Sequence, residues 1–596
     1  MPDAIETDWD MSSYFPSHGG EVYQVFREEL AADVAELRRA LPGLGAIDAE
    51  GLERWEAWLL RLEDVAARNR HLGSYLGCLS AADARNEAVA ADVAAGAALR
   101  AEIEKALVGL RSSLGNATEE DLSALLARDA LAPVAWYLRQ ARSRSLFSME
   151  SALEGLAADL GVDGIAAWGR LYDNLSSSLE FNFEAPDGAV QRLPISRARS
   201  LMGDADPAVR RASFAGANRA WETKLETCAA ALNAIAGTRL TLYERRRVEH
   251  FLDPACFDSG ISRRTLATMI GVARDRAEVA RKILRERARR MGLDGLSFAD
   301  LEAPCGTAAT ARISFEDASA RTIDAFHRFY PALGHFAAEA VAKRWIDHSP
   351  RPGKRPGGFC SSSPRLPESR IFMTFDGALG DVSTLAHELG HAWHSRVMAE
   401  MRPWARVYPM TLAETASTFA EQILIDRILS DPDASKQEKA EVLDGRLSDA
   451  TAFILNTTMR FTFEEAFYTE RAAGEVSAQR LCELMAEHQR AWYGDAIADD
   501  GLDPLFWASK LHFYIPGLSF YNFPYTFGYL FSQGLFARAK AEGVDFLPRY
   551  EALLRDTGSA PAEEVARKHL GVDLEKPEFW NASVDLVAAD LEIFAK

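Results

Sequence analysis

The stretch Val382-Ser383-Thr384-Leu385-Ala386-His387-Glu388-Leu389-Gly390-His391-Ala392-Trp393-His394-Ser395 holds the pattern HExxH at residues 387–391. Its apolar residues recur at helical spacing, which predicts one helix over 382–398. Residues four apart on a helix stand one above the other, so both imidazoles can reach one zinc ion while Glu388 lies beside it. Helical sites of this kind need a third protein ligand and leave one position to water. A pattern that takes a third histidine, HExxHxxGxxH, is excluded, because His394 stands where its glycine belongs and Val397 where its histidine belongs.

A glutamate on a following helix is the other source. Pro403 and Pro409 interrupt the chain, after which 412–421 resumes helical periodicity with Glu414 and Glu421 seven apart on one face. Either could point at the metal. Glu414 is the favoured ligand, with Glu421 then orienting a ligand histidine from behind. One zinc ion per chain is expected.

Outward from this segment the chain is mainly α. Helical periodicity runs from Val22 to about Ser178, with residues 50–67 and 91–114 as long amphipathic examples. Alternation at Leu179, Phe181 and Phe183, followed by the turn Pro186-Asp187-Gly188, predicts a β-hairpin that closes an N-terminal helical domain over 1–196. A catalytic domain then occupies 197–596. Its helices break near Pro304-Cys305-Gly306 and again in the Pro- and Gly-rich stretch 349–364. Residues 370–375 read as a short exposed strand able to pair with an extended peptide, and Gly357-Gly358-Phe359 upstream would let such a backbone approach.

With 596 residues, 48% of them hydrophobic, the chain can bury a large core of more than one unit. Its 67 Lys+Arg against 87 Asp+Glu give a formal charge of −20, which repels nucleic acid and anionic lipid. The six cysteines are far apart and read as reduced thiols, with Cys360 near the predicted site. Met1 to Asp10 lacks a basic and apolar leader, and no apolar run is long enough to span a bilayer, so a cytoplasmic location is expected. The oligomeric state is not legible. His71, His250 and His488 sit singly on helical segments and read as structural.

Three stretches, Phe372-Met373-Thr374-Phe375, residues 382–395 and Ala413-Glu414-Thr415-Ala416-Ser417, resemble the oligoendopeptidase F and thimet oligopeptidase family of zinc metallopeptidases. The likeness extends to Trp9-Asp10-Met11-Ser12-Ser13-Tyr14-Phe15-Pro16 and to an aromatic block at 510–529. It implies a two-lobed helical ellipsoid with a deep substrate channel, a zincin-like catalytic core and a small β element beside the zinc. It also implies zinc endopeptidase activity on oligopeptides. In that family the glutamate matching Glu414 is the third ligand, and a histidine and tyrosines of the aromatic block lie against the substrate.

That resemblance selects His512 and Tyr521 as donors to the oxyanion of the tetrahedral intermediate, with Tyr525 and Tyr529 behind them. The interval between His512 and Tyr521 is longer than the family pattern, and Phe523 stands where a tyrosine is common. Two other readings are open: a metallocarboxypeptidase of similar fold, which needs a cationic clamp for a C-terminal carboxylate, and a non-catalytic peptide-binding protein with a relic metal site. Retention of Glu388, the general base, argues against the relic.

Overall fold

A computed structural model of the chain describes residues 7–305 and 312–596. Met1 to Glu6 and Gly306, which the leader and helix-break readings above include, lie outside the described residues. Helices dominate, and the few strands are short. The chain divides into two compact units that interleave in sequence. One gathers the described residues of Met1–Leu146, Ala311–Ser430 and Arg538–Gly571; the other gathers those of Phe147–Thr310, Asp431–Ala537 and Val572–Lys596. The sequence places a single junction near residue 196. Compactness comes from contacts between segments remote in sequence, to which local periodicity is blind.

In the first unit, helices Glu21–Ala40, Leu52–Ala82 and Glu87–Asn116 pack around one core. The middle helix buries Trp55, Leu59, Leu62 and Val65 at helical spacing. The indole of Trp58 donates to Leu37 O at 3.1 Å, so its polar atom is satisfied inside the core. Asn86 starts the third helix by accepting from Val89 N at 3.0 Å.

Beside these helices lies a three-stranded sheet in which Ser369–Phe372 is central. It runs parallel to Ile346–Asp347 and antiparallel to Phe359–Ser362. The strand expected over 370–375 is therefore shorter, and it is not exposed: all four residues are buried and both neighbours are taken. An extended peptide has no place to pair with it. Burial of Ile371 and Phe372, and of Trp9 packed on Phe372 at 5.9 Å, is what pulls this strand to the middle. Asp8 Oδ2 accepts from His348 N at 2.9 Å and Ser349 N at 2.6 Å, tying the N-terminal segment to the sheet.

In the second unit, the expected hairpin is present as Glu180–Glu184 paired with Val190–Pro194. Gly188 turns it with φ 85°, a conformation open to glycine, and Asp187 Oδ1 accepts from Ala189 N at 3.0 Å. Phe181 and Phe183 are buried against Ala198 and Ala217. Helices Leu225–Arg245, Thr457–Arg471 and Ala478–Tyr493 form the frame on which the 510–529 block rests. Among the described residues no helix is long and apolar enough to cross a membrane.

Candidate metal centre

The HExxH helix spans Leu379–Val397. It begins three residues before the predicted start because Asp381 Oδ2 accepts from Asp376 N at 2.9 Å and Ala378 N at 3.0 Å, closing the first turn from inside the helix. Leu385, Leu389, Ala392 and Trp393 are buried, Trp393 edge-on to Tyr330 at 5.4 Å. That packing leaves His387 and His391 on the other face, their rings 4.8 Å apart and nearly perpendicular.

Glu414 and Glu421 do not share one continuous helix. A single turn, Met410–Ala413, ends at Glu414, and a new helix, Ser417–Ser430, begins three residues later. Glu414 Oε2 lies 3.3 Å from His387 Nε2 and 3.3 Å from His391 Nε2. Ser417 Oγ donates to the same oxygen at 2.6 Å. Glu421 stands behind the histidine, its Oε1 2.5 Å from His387 Nδ1 and its Oε2 accepting from Ser383 Oγ at 3.2 Å.

Donors about 2.0–2.1 Å from a tetrahedral zinc ion stand about 3.3 Å apart. The two Glu414–imidazole separations match that edge, and the donor atoms of all three side chains fall within 4.8 Å of one another. With Glu421 accepting the Nδ1 hydrogen, the Nε2 of His387 faces the metal position, where an ion would take the place of its second proton. His387, His391 and Glu414 therefore fit a metal ion.

The close approach depends on Gly390, whose absent Cβ would sit 2.5 Å from Ala416 O and 2.6 Å from Ser417 Cα. Sequence reasoning passed over Gly390, Ser383 and Ser417. A glycine inside a helix that packs this tightly was the available signal for the first; nothing local marks the serines.

Burial alone would push the Glu414 carboxyl up, but the two imidazoles outweigh it and hold it well below the usual range. For His387, burial is outweighed by Glu421 and Glu414, and the imidazole is raised. Glu388 is buried, and burial pushes its carboxyl up against the opposing pull of His387 and His391. Its Oε2 meets no hydrogen-bond partner among the described residues, and its Oε1 lies 3.5 Å from where a Cβ on Gly358 would stand.

Burial, then the charge of Glu388, pushes the Cys360 thiol well above its ordinary value, so it stays protonated. His394 is part of the packing: its Nε2 contacts Thr557 Oγ1 at 3.0 Å, its ring stacks on Tyr408, and burial lowers it to about 4. His71 and His488 likewise hold local partners, Ser363 Oγ at 2.8 Å and Thr462 Oγ1 at 2.9 Å, and His250 Nδ1 accepts from Leu252 N at 3.2 Å.

In the second unit, His512, Tyr521 and Tyr525 form a ring cluster with centroids 5.5–6.1 Å apart. All three are part-exposed. Tyr529 is apart from them, buried and stacked on Phe453 at 5.0 Å. The segment between His512 and Tyr521 is strapped down from below. Arg239 donates to Ile515 O, Pro516 O and Leu518 O, and Glu464 Oε1 accepts from Phe520 N at 2.9 Å. Phe520 has φ 55°, a left-handed conformation uncommon outside glycine, which turns the chain into Tyr521. Burial, then Arg460 and Lys510, lowers His512 to about 4, so its imidazole is neutral near pH 7.

The family model described as Peptidase family M3 matches residues 200–586, and that described as Oligopeptidase F matches 114–181. The chain is 24% identical over 438 residues to an oligoendopeptidase F homolog of Lactococcus lactis subsp. lactis, covering 71% of each chain. It is 26% identical over 302 residues to oligopeptidase PepF of Bacillus subtilis, covering 50% of this chain and 44% of that one. Among solved structures, oligoendopeptidase-F from Enterococcus faecium superposes with a TM-score of 0.71 at 18% identity, over 96% of this chain and 98% of that one. That likeness concerns the fold alone.

Proposed function

The chain belongs to peptidase family M3, and on that membership we propose that it is a zinc-dependent endopeptidase that hydrolyses oligopeptides. The observation that carries this reading is the single Glu414 oxygen 3.3 Å from the Nε2 atoms of both HExxH histidines. A zinc ion held by His387, His391 and Glu414 would supply Lewis acidity at the scissile carbonyl and an acidified water.

The chain's own groups do the rest. Glu421 keeps His387 oriented through Nδ1, and Ser383 and Ser417 hold Glu421 and Glu414 in turn. Glu388, buried with an unpartnered oxygen, accepts the proton that the attacking water loses and returns it to the leaving amine. His512 and Tyr521 are the donors for the oxyanion, with Tyr525 beside them in the same ring cluster. Among the described residues the outer strand Phe359–Ser362 is paired on one side only, and it follows Gly358, which abuts Glu388; it is the strand to which a peptide backbone would add. The relatives named oligoendopeptidase F and oligopeptidase support short peptides as substrates.

The test is metal analysis of the purified chain, followed by mass spectrometry of a mixed peptide library incubated with it and with Glu388→Gln. One zinc per chain and internal cleavage are expected, with Glu388→Gln keeping the metal and losing at least about a thousandfold in kcat. Cleavage by Glu388→Gln at more than about a tenth of the wild-type rate would remove Glu388 from the base role.

A further inference from the structure

Two cations of the second unit, Arg460 and Lys510, stand outside any ion pair among the described residues. Among the described residues no carboxylate pairs with either, and no acceptor takes a hydrogen bond from either; the Arg460 Nε is buried without a partner. Their position follows from packing. Helix Thr457–Arg471 runs antiparallel to residues 520–526. Thr457 Oγ1 lies 2.6 Å from Thr526 Oγ1, the Phe461 ring lies 5.8 Å from that of Phe523, and Phe520 N donates to Glu464 at 2.9 Å. Arg460, three residues after Thr457 and four before Glu464, shares their face and so falls beside residues 521–525. Lys510 is two residues before His512, its Nζ held 4.4 Å over the Phe506 ring.

The nearby acids act on Lys510 only at longer range. Glu302 pairs with Arg199 at 2.8 Å, and Asp503 is held by Asn218 Nδ2 at 3.1 Å and Leu505 N at 3.2 Å; both favour the charged ammonium, and burial with Arg460 outweighs them. Burial and the neighbouring Arg460 push Lys510 down to about 8, so both groups remain charged near pH 7 and repel one another. Placing two like charges together in a partly desolvated site is unfavourable unless an anion joins them.

We infer that Arg460 and Lys510, beside the His512–Tyr521–Tyr525 cluster, form a preorganised site for a carboxylate of the peptide substrate. The inference rests on the reading above that this cluster meets substrate. The carboxylate comes either from the peptide's C-terminus or from an acidic side chain, and the site sets which peptides are held.

Four versions of one heptapeptide separate the sources: free acid, C-terminal amide, and each with an internal Glu or Gln. Binding to the full-length zinc-loaded Glu388→Gln chain is measured by calorimetry, alone and with Arg460→Gln or Lys510→Gln added. At least one carboxylate form should bind about tenfold or more tightly than its neutral twin, and the ratio should fall toward one in both added variants. Preference for acid over amide assigns the C-terminus; preference for Glu over Gln assigns a side chain. Removing an uncompensated charge should leave the unfolding midpoint unchanged or raise it. Equal binding of all four peptides, a preference that survives both substitutions, or a lowered midpoint in both variants overturns the site. Absence of hydrolysis by the wild-type chain would overturn the endopeptidase reading instead, while the binding ratio still decides this one.

Discussion

Gly390→Ala changes none of the proposed metal ligands, yet it should weaken metal binding. The added Cβ would stand 2.5 Å from Ala416 O, 2.6 Å from Ser417 Cα and 2.9 Å from Ala416 C, all backbone atoms of the turn that presents Glu414. Ordinary contact needs about 1 Å more at each, and backbone in a buried turn cannot give that cheaply. The HExxH helix and the Glu414 turn must part, and the two 3.3 Å separations that match a tetrahedral edge widen with them.

Overpacking costs about 1–3 kcal/mol. The better helix propensity of alanine returns about 1 kcal/mol of it, for a net loss of about 0–2 kcal/mol. Zinc affinity should fall about a hundredfold, the upper end of what disturbing a ligand's support costs. Competition with a chelator reads the affinity, and thermal unfolding of the metal-free chain reads the packing. Gly380→Ala is the control: it lies on the same helix with nothing within 4 Å of its Cβ position, and should be neutral or slightly stabilising. Wild-type zinc affinity in Gly390→Ala would refute the close approach as the device that seats Glu414.

The remaining predictions concern ligands, pH and the aromatic block. Glu414→Ala should abolish stable zinc binding, whereas Glu421→Ala should weaken it about ten- to a hundredfold, because the latter only loosens His387; chelator competition on both variants would expose a reversed order. Burial would raise the Asp8 carboxyl, but the hydrogen bonds from Ser349 and His348 outweigh it and bring it down from 3.8 to about 2. A depressed carboxylate stabilises the fold in full above about pH 4 and loses that contribution as pH falls through about 2. Asp8 is partly exposed, so screening leaves about 1 kcal/mol of this. Asp8→Asn should thus be less stable at neutral pH by about that amount, the gap closing toward about pH 2 in denaturant titrations; a gap that ignores pH would contradict it. Tyr521→Phe should lower kcat about ten- to a thousandfold with the unfolding midpoint unchanged. Tyr529→Phe removes a buried hydroxyl whose nearest polar neighbour is the Gln533 side chain, and should change stability by no more than about 1 kcal/mol with near-normal turnover; the opposite pattern would move the donor further along the block.

Much of the candidate site was legible in the sequence because covalent spacing decides which residues share a face. Two histidines four apart on a helix must share a face whatever surrounds them, and the apolar residues between them must take the opposite one, as Leu385, Leu389 and Trp393 do. The hairpin at Phe181 and Phe183 was equally local, being an alternation of period two around a turn that needs Gly188. Mostly helical architecture follows from the same periodicity summed over the chain.

What tertiary structure alone decided depends on contacts between distant segments. Seven-residue spacing put Glu414 and Glu421 on one face only if one helix carried both; the break at residues 414–416 turns Glu414 onto the two Nε2 atoms and leaves Glu421 behind Nδ1. Residues 369–372 read as a strand, but whether it lay at an edge or in the middle depended on Ile346–Asp347 and Phe359–Ser362 arriving on either side. The two units interleave because contact, not chain order, defines them. Arg460 and Lys510 looked like ordinary charged residues of helical and loop segments, since standing outside every ion pair among the described residues becomes visible only when the nearby carboxylates have been placed.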